Sequence, residues 1–339
     1  METRKLQKVG GGTYTVSIPK DWATDHRLEA GAPVHVYTHD DGTLVVRSSR
    51  SDEEPVESAT LEVSPDDPED VARVLRAAYT AGFGEVTLTT EEVFTEDDHR
   101  AAQSLASTLA GVEVLEATES SLTARNFLDS GEVSVRQAVG QLRFLTLAMH
   151  RTVTEDLAAP VEERREHLRQ REDDMERFFG MVTHHFTRAL ASLKEVDALG
   201  VSRLDLFAYY LSAHHLAAVV THVKRVLAEV ERLEGELPES FVDEAEELAA
   251  AARDVIERAV TAVLNETGLA EASVLVEDAD DVAARAADAK QALREDETVG
   301  RSDARALAGV LDGIERTAER GADIAEMAVQ TAIRAENQQ

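Results

Sequence analysis

The first fifty residues predict two β-hairpins joined by a short helix. After three glycines, residues 13–18 alternate between polar and β-branched or aromatic positions, which is typical of a strand. The glycines therefore form a hairpin turn, because neither the Gly-Lys-Ser/Thr ending of a Walker loop nor a dinucleotide fingerprint is present. "PKDWATDHRLEAG" predicts a short helix from Pro19 that ends at Gly31. A second hairpin is predicted around Asp41 and Gly42. So short a unit has too little core to be stable alone, and we expect it to dimerise.

The pattern changes after a polar linker. "ATLEV", "EVTLTT", "VEVLE" and "SLTARNF" predict strands, and "DPEDVARVLRAAYTAG" and "TEDDHRAAQSLASTLAG" predict helices between them. The βαβαββ order predicts a small α/β sandwich with its helices on one sheet face. No catalytic constellation is visible in this segment.

Helical spacing dominates from Ser134 onward. The first predicted helix has one apolar face, formed by Val135, Ala138, Leu142, Leu145, Met149 and Val153. Breaks at "LAAPVEE", "LKEVDALGVS", "EGELPES", "NETGLAE" and "EDETVGRSD" predict six helices of about 20 to 35 residues in an antiparallel bundle. The third and sixth helices share apolar spacing, which indicates a weak three-helix repeat. The fold class is therefore multi-domain and mainly α, with predicted domains 1–50, 58–129, 133–234 and 238–336.

Composition adds charge to this picture. The chain has 66 acidic and 35 basic residues, a net charge of -31, and no cysteine. The excess of acids, with only six lysines among the 35 bases, favours adaptation to molar salt, and an ordinary acidic interaction protein is the alternative. Residues 1–50 are a local exception, with seven bases against six acids. Without cysteine, disulfides, thiolate metal sites and thiol catalysis are excluded. No apolar run of about 18 residues and no signal-peptide pattern occurs, so we expect a cytoplasmic protein without membrane insertion.

Two kinds of side chain could carry chemistry. In the last helix Glu315, Glu319 and Asp323 form a stripe along one edge, with Glu326 a turn further on. Their oxygens suit Mg²⁺, Ca²⁺, iron or manganese, although the acidic composition by itself favours a solvated acidic face. The same two interpretations apply to Glu172, Asp173 and Glu176. Seven histidines lie between 150 and 222 without HExxH spacing, and we interpret them as surface or packed residues. No nucleophile with a base is visible, so we expect no enzyme.

Two segments resemble known families. The alternating strand, "IPKDW", the Gly31 turn and the Asp41–Gly42 hairpin resemble the AbrB/MazE swapped-hairpin DNA-binding domain. "SVRQAVGQLRFLTLAMH", "REDDMERFF" and "IERTAERGADIAEMA" resemble PhoU, the phosphate-uptake regulator built from two three-helix repeats. The combination is similar to archaeal PhoU regulators with an AbrB-type amino terminus. It implies a homodimeric cytoplasmic regulator that binds promoters of phosphate-transport genes, with a phosphate ABC transporter or a signalling protein as a further partner.

The resemblance also implies site residues. The PhoU metal pattern falls on Glu315 and Glu319, with Asp323 a turn later, which implies a divalent metal or iron in the second repeat. The matching positions of the first repeat are Ala217 and Thr221, so that half-site is expected to be lost.

DNA contact is implied for a small basic set, namely Arg4, Lys5, Lys8 and Lys20. The arginines usual in the AbrB/MazE family correspond here to Thr13 or Tyr14, Ala23 and Thr24. An interaction module that docks on a transporter or sensor kinase, and uses its hairpins only to dimerise, therefore remains the alternative.

Overall fold

The structure is a computed structural model, in which the chain divides into two compact units, Met1–Pro55 and Val56–Gln339. The structure describes residues 3–10, 12–38, 42–48, 57–64, 67–155, 157, 160–233, 239–296 and 299–337. Among these residues, no helix has the length and apolar character needed to cross a membrane.

The first unit contains the two predicted hairpins. Strands β1 (Gln7–Val9) and β2 (Thr13–Thr15) pair antiparallel, as do β3 (His35–Thr38) and β4 (Leu44–Arg47). Gly10 and Gly42 have positive φ angles of 66° and 82°, which turns require and glycine adopts at little cost. The other turn residues, Gly11 and Asp41, lie outside the described part of the chain.

The helix between the hairpins is shorter than the sequence predicts. Helix α1 spans Lys20–Asp25 and does not continue to Gly31. Arg27 has a φ angle of 54°, and this left-handed conformation is incompatible with a continuing right-handed helix. The predicted start at Pro19 agrees with the structure to within one residue, because Pro19 is the N-cap, whereas the predicted end at Gly31 is wrong.

The second unit begins with a four-stranded sheet. The elements follow the predicted βαβαββ order: β5 (Ser58–Glu62), α2 (Pro68–Thr80), β6 (Glu85–Thr89), α3 (Glu96–Thr108), β7 (Val112–Ala117) and β8 (Ser121–Asn126). The strand order is β5-β6-β8-β7, with β5 parallel to β6 and the other pairs antiparallel. Helix α3 begins with a capping box in which Thr95 and Asp98 bond each other's backbone N–H groups.

One face of this sheet carries the core of the layer. Val86 and Leu88 of β6 and Leu122 of β8 are buried against α2 and α3, with Leu75 and Leu105 as the central helix residues. The opposite face carries the intervening polar residues, such as the threonines whose hydroxyls bond between β6 and β8. Both helices therefore lie on one face, as predicted.

The rest of the unit is helical. Its helices are α4 (Val135–Thr154), α5 (Val161–Ala191), α6 (Leu193–Leu199), α7 (Arg203–Val230), α8 (Glu239–Asn265), α9 (Leu269–Glu295) and α10 (Arg301–Glu336). Helix α6 lies in "LKEVDALGVS", where the sequence predicts a break. The Ser192 side chain caps it at the Glu195 N–H, and Gly200 ends it with a φ angle of 62°. The described residues thus form seven helices here rather than six.

The helices form two groups of three long members. Helices α4, α5 and α7 contact one another, as do α8, α9 and α10, and the groups meet through α4 with α8 and α7 with α10. The predicted apolar face of α4 is buried. Ile314 and Ala318 of α10 are buried as well. Gly313 lets α10 approach α7 closely, since a Cβ atom there would lie 2.2 Å from Val226 Cγ2. The identity of these groups with PhoU repeats stays a prediction.

Candidate functional site

The predicted DNA-contact residues lie on the first unit. Lys8 is on β1 opposite Tyr14, Lys20 is the first residue of α1, and Arg4 and Lys5 precede β1. All four are exposed. The described residues of this unit include six Arg or Lys against three Asp or Glu. The described part of this unit is therefore positive, although the chain as a whole carries a net charge of -31.

The same unit has no buried side chain among its described residues. It nevertheless exposes seven large apolar side chains, at Leu6, Val9, Tyr14, Val16, Ile18, Val36 and Leu44. So many uncovered apolar groups on so small a unit form a surface that association would bury. Sequence reasoning predicted the missing core from length alone, and the exposure of these side chains agrees with it.

The acidic stripe of α10 is engaged by basic side chains. Glu315 pairs with Lys290 of α9. Asp323 lies 2.8 Å from an Arg320 nitrogen and 3.4 Å from Nδ1 of His215, while Glu319 is exposed. In the described ranges no three His, Asp or Glu side chains gather closely enough to hold a metal ion. The metal site therefore stays a prediction, and a cation there would compete with Lys290 and Arg320.

The acidic residues of α5 form surface ion pairs. Glu172 lies 3.0 Å from Lys224 of α7, and Glu176 lies 2.8 Å from Arg76 of α2. Both carboxylates are substantially exposed, and such pairs contribute about 0–1 kcal/mol to stability. The solvated-face interpretation fits this geometry.

A buried polar cluster surrounds Glu195 at the start of α6. Its carboxylate accepts hydrogen bonds from His185 Nδ1 at 2.7 Å, Ser130 Oγ at 2.8 Å and Arg188 Nε at 3.1 Å. Burial alone would raise the pKa of Glu195, but the bonds from His185 and Ser130 and the charge of Arg188 lower it to about 2. The carboxylate is therefore ionised, and His185 carries a hydrogen on Nδ1.

The neighbouring His184 joins the helices to the sheet layer. Its Nδ1 donates to the Tyr79 carbonyl at 2.7 Å, so Nε2 accepts from the Asn126 amide at 3.2 Å. Burial lowers its pKa to about 4, which keeps the ring neutral. Arg188 donates to the Gly82 carbonyl at 3.1 Å. These bonds connect α5 to the end of α2 and to β8.

Sequence reasoning found only part of this cluster. Sequence reasoning interpreted His184 and His185 as surface or packed residues, and their relative exposures of 2% and 1% show that both are packed. It missed Glu195, Arg188 and Ser130. One local signal was available, because Ser192 followed by Glu195 three residues later has the form of a capping box.

The comparisons with known proteins concern the first unit. Residues 7–54 match the family described as antidote-toxin recognition MazE, a bacterial antitoxin. The predicted AbrB/MazE-like domain at the amino terminus is thus confirmed, whereas the match does not extend to the helical region. Neither a curated protein nor a solved structure matches the chain.

Proposed function

We propose that this protein is a dimeric DNA-binding regulator whose first unit contacts DNA. The observation that carries the proposal is the first unit itself, which contains a MazE-like segment, exposes its apolar side chains and presents Arg4, Lys5, Lys8 and Lys20 at its surface. A second copy of the same chain is the partner that would cover those side chains.

The apolar surface is large enough for such a dimer. Complete burial of a Val, Leu or Ile side chain is worth about 1.5–3 kcal/mol. Seven side chains that are roughly half-exposed therefore hold roughly 5–10 kcal/mol per copy. Association costs about 4–15 kcal/mol in lost freedom, so two copies together supply enough for a dimer.

The positive side chains of such a dimer can pair with the negative phosphate groups of DNA. Two copies present eight positive groups from Arg4, Lys5, Lys8 and Lys20, all on exposed positions. Contacts from such residues position a protein on DNA without reading the sequence of bases. In concentrated salt long-range repulsion from the remaining acidic surface is screened, because the Debye length at about 1 M is only about 3 Å.

The finer part of the proposal is phosphate regulation. The resemblance of the helical region to PhoU supports a role at promoters of phosphate-transport genes, with phosphate status as the signal. This part rests on the sequence resemblance alone. The rival function is an interaction module that uses its hairpins only to dimerise, and the observation that favours it is the presence of Thr13, Tyr14, Ala23 and Thr24 where the family usually carries arginine.

Fluorescence anisotropy with promoter DNA of a phosphate-transporter operon tests the proposal. The full-length protein is compared with Lys5→Ala/Lys8→Ala in matched high KCl. The double substitution removes four charges per dimer, and we expect affinity to fall about tenfold or more and the salt dependence to weaken. Lys194→Ala/Lys224→Ala is the matched control, because it removes the same charge from exposed positions of the second unit.

Each result has a definite meaning. Equal affinity of the wild type and Lys5→Ala/Lys8→Ala would show that these lysines do not contact DNA. An equal loss in the control would indicate a general charge effect. No binding by the wild type would favour the dimerisation-only module, and binding equally tight to unrelated DNA would leave the phosphate part unsupported.

A further inference from the structure

A cleft of about 460 Å³ lies between the sheet and α5, entirely within the second unit. Its walls include Glu57 before β5, Glu85 of β6 and Arg125 of β8 on the sheet side. His185 and Arg188 form its wall on α5. The cleft thus borders the buried Glu195 cluster.

One nitrogen of this wall, Nε2 of His185, is buried without a hydrogen bond that the described residues supply. The ring is 1% exposed, and Nε2 is buried without a hydrogen-bond partner in the part of the chain that the structure describes. Nδ1 holds a hydrogen because it donates to the ionised Glu195. Nε2 is therefore the ring nitrogen left without a partner among the described residues, and burial of such a group is costly enough to demand an explanation.

The charges around the cleft are balanced. Its wall carries two guanidinium groups, from Arg125 and Arg188, and two carboxylates, from Glu57 and Glu85, so their formal sum is zero. This balance is unusual for a chain of net charge -31. A simple anion would meet both carboxylates, and a simple cation would meet both arginines.

Arg125 is the more accessible of the two arginines. Its side chain is 49% exposed, and it bonds Glu85 through Nε at 2.6 Å and through one terminal nitrogen. Its guanidinium carbon also lies 5.9 Å from the centre of the Phe127 ring. Guanidinium groups match carboxylates in geometry as well as in charge. Arg125 can therefore receive a carboxylate while it keeps Glu85.

We propose that this cleft binds a small zwitterion of the α-amino-acid type. The ligand ammonium group donates to Nε2 of His185 and lies near the Glu57 carboxylate, while its carboxylate accepts from Arg125. One ligand then gives the buried Nε2 atom a hydrogen-bond partner. It also brings one positive and one negative group to a wall that carries both signs of charge. The proposal is independent of DNA binding by the first unit.

Titration calorimetry on the full-length protein tests this site. The probes are the proteinogenic amino acids, added singly in high KCl, with inorganic phosphate and lactate as ligands that lack the ammonium group. His185→Asn keeps an amide donor for Glu195 but removes Nε2, and Arg125→Gln removes the guanidinium at an exposed position. Arg73→Gln is the matched control, because Arg73 is exposed on α2 and pairs only locally with Asp70.

We expect saturable binding of at least one amino acid. Affinity should fall at least about tenfold in His185→Asn and in Arg125→Gln, which is about 1.4 kcal/mol, and stay unchanged in Arg73→Gln. Arg125→Gln keeps the test valid if His185→Asn fails to fold, since its side chain lies at the surface. Absence of amino-acid binding, equal binding of lactate or phosphate, or affinity unchanged in both site variants would overturn the proposal.

Discussion

The two helix groups pack closely where Gly313 lies, and we predict that a larger residue at this position destabilises the protein. Gly313 of α10 faces Val226 of α7, and an added Cβ atom would lie 2.2 Å from Val226 Cγ2. Carbon atoms pack at about 3.5–4.0 Å, so Gly313→Ala must displace one helix or the valine by more than about 1 Å. Both residues are buried in the core of the bundle, where such a shift disturbs further contacts.

The magnitude follows from two opposing effects. Overpacking of a well-packed core costs about 1–3 kcal/mol, while replacing a helical glycine by alanine gains about 1 kcal/mol. Gly313→Ala should therefore lower the free energy of unfolding by up to about 2 kcal/mol. Gly140→Ala in α4 is the matched control, because nothing lies within 4 Å of its added Cβ atom. That variant should gain up to about 1 kcal/mol.

Far-UV circular dichroism during urea unfolding measures both variants. The single tryptophan, Trp22, lies in the first unit, so its fluorescence would not report on the bundle. Adding Val226→Ala to Gly313→Ala should restore part of the lost stability, since it removes the methyl group that clashes. Equal midpoints for Gly313→Ala and Gly140→Ala would refute the close contact.

Three further predictions test other parts of the chain. Burial lowers the pKa of His184 from 6.5 to about 4 in the folded state, so the unfolded chain binds more protons below pH 6.5 and stability falls as pH falls. Between pH 7 and 5 the wild type should lose about 2 kcal/mol more than His184→Asn, and equal losses by urea unfolding would contradict the shift. Metal analysis should find less bound metal in Glu315→Ala/Glu319→Ala than in the wild type, and equal content would identify the stripe as a solvated face. Deletion of residues 1–55 should convert a dimer into a monomer in sedimentation, whereas an unchanged mass would place the dimer contact elsewhere.

Local patterns predicted most of the secondary structure. The strands of the sheet layer agree with the sequence to within one residue, because period-two alternation and flanking turn residues act over a few positions. The capped starts of α2 and α4, at Asp67 and Ser134, are equally local. The end of α1 was missed because the left-handed Arg27 has no distinctive sequence signal.

The cluster around Glu195 could not be predicted in the same way. His184 bonds a carbonyl 105 positions away and an amide 58 positions away, so its role depends on how α5 docks on the sheet layer. A helical pattern shows which residues share a face, but it does not show what the neighbouring element presents to that face. The cleft is a consequence of that docking and therefore has no motif in the sequence.

The two acidic features of the second unit illustrate this limit. Glu315 and Asp323 drew attention because their spacing repeats along one helix, yet Lys290 and Arg320 now neutralise them from nearby positions. Glu195 had no such spacing, but it is buried and accepts hydrogen bonds from three donors, Nδ1 of His185, Oγ of Ser130 and Nε of Arg188. A buried carboxylate with fixed partners constrains chemistry more tightly than an exposed row of carboxylates, because solvent and salt screen the row. The burial of a charge is revealed only by the fold, and here it distinguishes the Glu195 cluster from the stripe of α10, which the number of charges along a helix does not do.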